Sequence, residues 1–583
     1  MSNNTDVLEK KRVRPVVAGL APYTGTFGRE QVVHLLKRTM FGAKRADVDF
    51  FTGRTLTQTL DVLFTPAPTP AILPLRNYAD NARCIATPPE RAYCELPTAG
   101  ATTGNQTPIG ETWVNNQENG TLSGERTRSL KSWWIGQMLN QGRSIHEKMV
   151  LFWHNHFATE IIDTTPKTAY FFQEVMRRNA LGNLKTLVRE VTFEPNMLIY
   201  LNGRLNVKTA PDENYGRELQ ELFTVGKGPN SRYTEDDVKA SARVLTGWGY
   251  SNVESPVGSG KYTTALTFNA NNHDVGTKQF SAFYSNKLIT ASTGTANTQV
   301  NALREFNEML DMIFATQEVA YFISRKLYRF FVYYDIDATV ETDVIAPMAD
   351  LIRSNNYDIV PALRALLSSQ HFYEVAQKAC FIKSPLDYLV GAAREFDMVF
   401  PTITTPEVDV PILYTAWQNI YANASTQGQN IGDPPNVAGW AAYYQEPMFH
   451  ETWINTDTFP KRLRITDTLL TTTGIVLDRT SGKKLWIDTV KYTDGFGDAI
   501  AGDPNLLIDA VLELHYRVPP TNAMRTYLKT TILLGGQASD HYWTDAWMAY
   551  KAAPTNAAAL SLVTTRLQAF YKFLVQNPEY QLS

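Results

Sequence analysis

Ser144-Ile145-His146-Glu147-Lys148-Met149-Val150-Leu151-Phe152-Trp153-His154-Asn155-His156-Phe157 decides how the rest of this chain is read. Ile145, Met149 and Phe152 recur at helical spacing, and His156 continues their stripe, so the segment predicts a helix with His156 facing inward. The same periodicity returns at residues 29–41, 56–64 and 127–157, and it dominates to about residue 250. It resumes at 300–314, 319–333, 345–354, 360–367 and 385–396, and again at 504–515, 521–534 and 557–577. Strand-like alternation is confined to short pieces such as 484–490. The fold class is therefore mainly α, a multi-helical globular protein with long irregular loop insertions and few short strands.

Working outward, residues 1–27 lack apolar periodicity and read as a tail. Residues 28–457 read as a helical core interrupted at about 65–124 and 251–300, where Pro, Thr, Asn, Ser and Gly accumulate, and 458–583 as a C-terminal helical region packed on that core. An insertion as long as 65–124 is expected to form a functional loop or a mobile cover. The 583 residues carry 58 acids against 55 bases, a net charge of -3, which leaves no electrostatic footprint for nucleic acid. The 11% of aromatic residues read as filler for a large core rather than as sugar platforms.

No run approaches the roughly 20 apolar residues that span a bilayer. The amino terminus lacks the apolar stretch of a secretory signal, which by itself argues for the cytoplasm. The cysteines lean the other way, since Cys84 and Cys94 lie in a loop-like segment that one bridge would pin, with unpaired thiols as the alternative, while Cys380 is alone. A bridge there would contribute on the order of 2 to 3 kcal/mol.

Most residues able to carry chemistry fall between Trp153 and Lys278. His154 sits roughly 200° around a helix from His156, so the two imidazoles share an ion only if the helix ends between them. In Asn214-Tyr215-Gly216-Arg217-Glu218-Leu219-Gln220-Glu221-Leu222, the carboxylates of Glu218 and Glu221 share an edge stripe, and they repel unless a cation such as a metal or Arg217 lies close. Thr234 and Asp237 form a capping box for the next helix, and Gly247 and Gly249 around Trp248 stop it. His273-Asp274, with Lys278 beyond, is expected in a polar loop, where a histidine has little structural role, so His273 is the leading functional histidine. Lys383-Ser384-Pro385 reads either as an anion site or as a routine helix start. No phosphate-cradling glycine loop is present, so nucleotide cofactors are unsupported.

These motifs, together with His34-Leu35-Leu36-Lys37-Arg38, Ala242-Arg243-Val244-Leu245-Thr246-Gly247-Trp248 and the end Pro578-Glu579-Tyr580-Gln581-Leu582, resemble the bacterial family catalogued as domain of unknown function 1800. The resemblance runs from about residue 28 to the end. It implies a mainly helical, commonly exported protein, often found beside a sulfatase-like partner, and no established reaction.

Two functional readings follow. In the first, a metal-assisted hydrolase of the cell envelope binds a divalent ion through some of His154, His156, Glu218, Glu221, His273 and Asp274, with His273 and Asp274 in the catalytic site and Arg217 and Lys278 neutralising an anionic or glycan substrate. Donors to one ion would then lie within about 4 Å of each other. In the second, a non-catalytic envelope protein binds a partner or ligand, and the polar cluster is a structural hydrogen-bond network.

Overall fold

The computed structural model describes residues 19–78, 107–291 and 298–583. It is mainly α-helical, and its strands form three two-stranded antiparallel pairs. One continuous hydrophobic core runs from Val32 in the first helix to Tyr580 near the end, so the region after residue 458 shares its interior with the rest. Leu20, Tyr23 and Phe27, from the stretch read as a tail, also pack on this core.

The helix His146–His156 lies at the centre and all its residues are buried. Its amphipathic stripe predicted the inward side only, because neighbouring elements cover the other side as well. Ser123–Leu139 packs on Pro406–Thr426, and Glu318–Phe331 packs on Ala346–Ser354. Gly136 allows the first of these contacts: a Cβ there would lie 2.8 Å from the Trp417 ring.

The insertion at 65–124 is no loose cover at its described ends. Leu75, Trp113 and Val114 are buried in the core. The Trp113 indole donates to Ser129 Oγ at 2.9 Å, Ser129 donates to the Leu75 carbonyl at 2.7 Å, and Leu75 N donates to Tyr414 Oη at 2.9 Å. Cys84 and Cys94 lie outside the described residues. The second insertion contains the longest hairpin, Trp248–Glu254 paired with Tyr262–Phe268, in a register set by Trp248 opposite Phe268. Near the C-terminal region, only Lys484–Leu485 of the expected strand pairs, with Ile475–Val476, because Asp488 caps a new helix at Thr489–Asp494.

Among the described residues no helix is long and apolar enough to cross a membrane.

Candidate anion-binding cleft

Thr234 and Asp237 do form a capping box, which starts Glu235–Val244. The preceding segment departs from expectation. Asn214–Glu218 is α-helical, but Leu219–Thr224 widens into a π turn, with Val225 N donating to the Gln220 carbonyl at 2.9 Å. Such turns break the regular side-chain phase and recur at functional sites. Here the wide turn delivers Glu221 and Leu222 to a cleft of about 260 Å³.

Three further elements complete that cleft. From the central helix come Phe152 and Asn155. Glu318–Phe331 contributes Phe322, Lys326, Arg329 and Phe330, spaced i, i+4, i+7 and i+8 and hence on one face. Tyr443 and Tyr444 close the far side. Aromatic contacts join these walls: Phe152 and Phe330 have ring centroids 5.2 Å apart, and Phe330 and Tyr443 5.6 Å. The loop before Tyr443 is locked onto Asn155, whose Oδ1 accepts a hydrogen bond from Trp440 N at 2.9 Å. Gly439 makes this approach possible: its φ is +91°, and a Cβ would stand 2.3 Å from Asn155 Oδ1. Gly226, at φ +79°, likewise lets the π turn rest on Phe322, 2.5 Å from where a Cβ would be.

The charges of the cleft are unbalanced. It holds one carboxylate, Glu221, and three cations, Lys227, Lys326 and Arg329. Glu221 is already paired with Lys227 at 2.5 Å. Lys326 is half-buried, with its ammonium 5.1 Å from the Phe322 ring centroid. Burial, followed by repulsion from Arg329, draws the Lys326 amine down to about 8. Burial also lowers Arg329, which donates to the Tyr334 carbonyl at 3.2 Å and stacks over Phe449. Among the described residues neither Lys326 nor Arg329 has a carboxylate within ion-pairing distance. Arg325, one position earlier, does, since it pairs with Glu341.

The residues singled out from sequence are distributed differently. His154 stands between the rings of Trp134 and Trp440, at 4.9 and 5.6 Å, and burial lowers it to about 4. His156 donates from Nε2 to the Phe223 carbonyl at 3.0 Å among Phe152, Phe157 and Phe322, and burial holds it well below its ordinary range. The helix stays regular through both histidines, so they face different neighbours. The Glu218 carboxyl is half-buried and raised, first by burial and then by Glu221.

His273 is not on a solvated loop; it is 1% exposed beneath Gly247, against Phe268. Its Nδ1 donates to the Thr246 carbonyl at 2.8 Å, and its Nε2 faces Glu305 Oε1 at 3.5 Å. Glu305 in turn binds Lys278 at 2.5 Å, and both side chains are fully buried. Burial pushes the Glu305 carboxyl up, but hydrogen bonds from His273 and Lys278 more than offset this and leave it below its ordinary value. Lys278 is therefore already neutralised. So is Arg217, which grips Glu235 at 2.6 and 2.7 Å and Glu213 at 3.2 Å, and Asp274 is held by both arms of Arg243. Among the described residues no group of three or more His, Cys, Asp or Glu, the six expected donors included, is placed to hold an ion. Ser384 caps Pro385–Glu395, the helix-start reading of that motif.

The family model described as protein of unknown function (DUF1800) matches residues 34–582, nearly the whole chain. This protein belongs to the DUF1800 family. Neither a curated protein nor a solved structure matches it. In this DUF1800 protein, Lys326 and Arg329 escaped the sequence reading because they lie on a strongly apolar-periodic helix, where long cationic side chains normally snorkel to water. One signal was present. Neither residue has an acid at i±3 or i±4, the positions from which a helix ordinarily supplies a partner.

Proposed function

We propose that this protein binds a small organic anion with a planar or apolar body in the cleft between Glu318–Phe331 and the central helix. The supporting observation is the pair Lys326 and Arg329, two cations on an aromatic wall with no carboxylate within ion-pairing distance among the described residues. Desolvating a cation costs free energy unless a counter-charge repays it, so such a pair is stable chiefly when an incoming anion completes it. An arginine fork takes a carboxylate or sulfate in bidentate fashion, and the rings of Phe152, Phe322 and Phe330 accept an apolar tail. A cleft of about 260 Å³ is somewhat below the range of drug-sized pockets, which suits a compact ligand.

This reading lies closer to the binding protein than to the metal-assisted hydrolase. The anionic ligand is common to both, whereas of the metal donors proposed from sequence His156, Glu221, His273 and Asp274 have other partners. An exported envelope protein working beside a sulfatase-like partner fits this reading on the family resemblance alone.

The test uses 3-phenylpropionate and its uncharged amide. Thermal unfolding should rise with the carboxylate and stay flat with the amide, since only a ligand that binds the folded state stabilises it. Equal responses, or none at millimolar carboxylate, would remove the proposal.

A further inference from the structure

Lys326 and Arg329 are three residues apart on one regular helix, so their Cβ atoms are neighbours at about 5 to 6 Å. Both side chains line the same cleft. An anion held by the Arg329 fork therefore presents its adjoining atoms to the Lys326 amine. The amine has no hydrogen-bonding or ion-pairing partner among the described residues, and the Phe322 ring beneath it accepts no proton. Burial and the neighbouring guanidinium favour its uncharged, nucleophilic form, the same combination that activates lysines for attack on carbonyl carbon.

We propose that Lys326 captures 2-oxo carboxylates covalently, with Arg329 holding the carboxylate, the aromatic wall holding the tail, and the amine forming an imine with the carbonyl carbon one bond away. This rests on the cleft being an organic-anion site and names the class of anion.

The chemistry balances without a co-reactant. The nitrogen lone pair forms the C–N bond while the carbonyl π pair moves to oxygen, and one nitrogen proton transfers to that oxygen to give a carbinolamine. The second nitrogen proton then leaves with the hydroxyl as water as the C=N bond forms. Nothing is oxidised or reduced. Lys227 and Glu221, paired with each other on the opposite wall, leave the Lys326 amine free of a competing carboxylate.

Phenylpyruvate, which combines an aromatic tail, a ketone and a carboxylate, is the probe. The full-length protein is incubated with it and cyanoborohydride, which reduces any imine to a stable secondary amine, and the adduct is located by intact mass and peptide mapping. One adduct per chain on Lys326 is expected. At about pH 7.5 it should form on the order of a hundredfold faster than at an ordinary surface lysine, because the fraction of neutral amine differs by about that factor. The rate should climb with pH and level off above about 8. 3-Phenylpropionate, which has no ketone, should slow labelling of the wild type, and this readout needs no variant to fold. Lys326→Arg, checked for folding by thermal unfolding, should lose the adduct.

Stabilisation by 3-phenylpropionate with no adduct from phenylpyruvate would overturn the covalent step and leave the binding cleft standing. Adducts spread over surface lysines and indifferent to the competitor would overturn it as well. No stabilisation by either compound would remove both the cleft reading and this inference.

Discussion

Two buried groups of charges in this protein differ in a way that separates architecture from function. In the first, Lys278, Glu305 and His273 are closed on one another with side chains that water does not reach, and Lys278 also donates to the Asp274 carbonyl at 2.5 Å. In the second, Lys326 and Arg329 line an accessible cleft whose one lining carboxylate, Glu221, is committed to Lys227. A closed network supplies its own counter-charge. An open pair of cations carries an unpaid desolvation cost that an anion can relieve. His273 and Lys278, which look chemical in sequence, belong to the first kind, and Lys326 and Arg329, which look like ordinary helix flanks, belong to the second.

The comparison breaks most visibly at Glu305. Glu305→Gln leaves the Lys278 ammonium buried without its counter-charge and should cost about 3 to 5 kcal/mol in urea unfolding. Replacing both partners, with Lys278→Met and Glu305→Leu, should recover most of that loss. A loss below about 1 kcal/mol in the single variant, the scale of a surface pair, would mean that the network is not the structural element described.

Glu194 sharpens the contrast from the acidic side. It is buried, accepts a hydrogen bond from Asn196 N at 2.6 Å, and is pushed by burial from its ordinary 4.5 up to about 8. Between those values the unfolded chain releases a proton that the folded protein keeps, so stability should fall as pH rises from about 4.5 to 8. Glu194→Gln should flatten that slope and stabilise the protein at pH 8 by on the order of 3 kcal/mol. An unchanged pH profile of urea midpoints would refute the assignment.

The wall of the cleft is probed at Gly439. Gly439→Ala adds a Cβ that collides with Asn155 at a φ of +91°, and should cost about 1 to 3 kcal/mol by thermal unfolding while weakening any ligand response of the cleft. A smaller effect is expected at Lys326 itself. Its folded pKa lies at about 8, below the ordinary 10.5, so the penalty of its charge is present below 8 and disappears as pH rises to 10.5. Lys326→Met should therefore be neutral to slightly stabilising at pH 7, within about 1 kcal/mol, and should flatten the alkaline rise in stability. Clear destabilisation at neutral pH would show that Lys326 has a structural partner.

Local features of the fold were legible in the sequence. The stripe of Ile145, Met149 and Phe152 placed a helix and turned His156 inward. Thr234 with Asp237 fixed a helix start, and Gly247 took the left-handed conformation where Glu235–Val244 ends. The failures were longer in range. Lys278, in a short strand, has its counter-charge 27 residues away on a helix, at Glu305, a pairing that no local spacing encodes. The π turn at Leu219–Thr224 was not foreseen, although Glu218 and Glu221 still lie close enough to repel, as their spacing predicts. His273 read as a loop histidine because the hairpin that covers it, Trp248–Glu254 with Tyr262–Phe268, is half-buried and polar in composition.

The central claim is that Lys326 and Arg329 are held open for an anion, and calorimetric titration of 3-phenylpropionate tests it most directly. Wild type should bind with an affinity that declines as salt is raised, because ionic screening weakens a charge-based contact at a site open to solvent. The double variant Lys326→Met/Arg329→Met, folded and no less stable at pH 7, should bind at least about a hundredfold more weakly, the equivalent of losing roughly 3 kcal/mol of charge-assisted hydrogen bonding. Equal affinity in the two proteins would contradict the account.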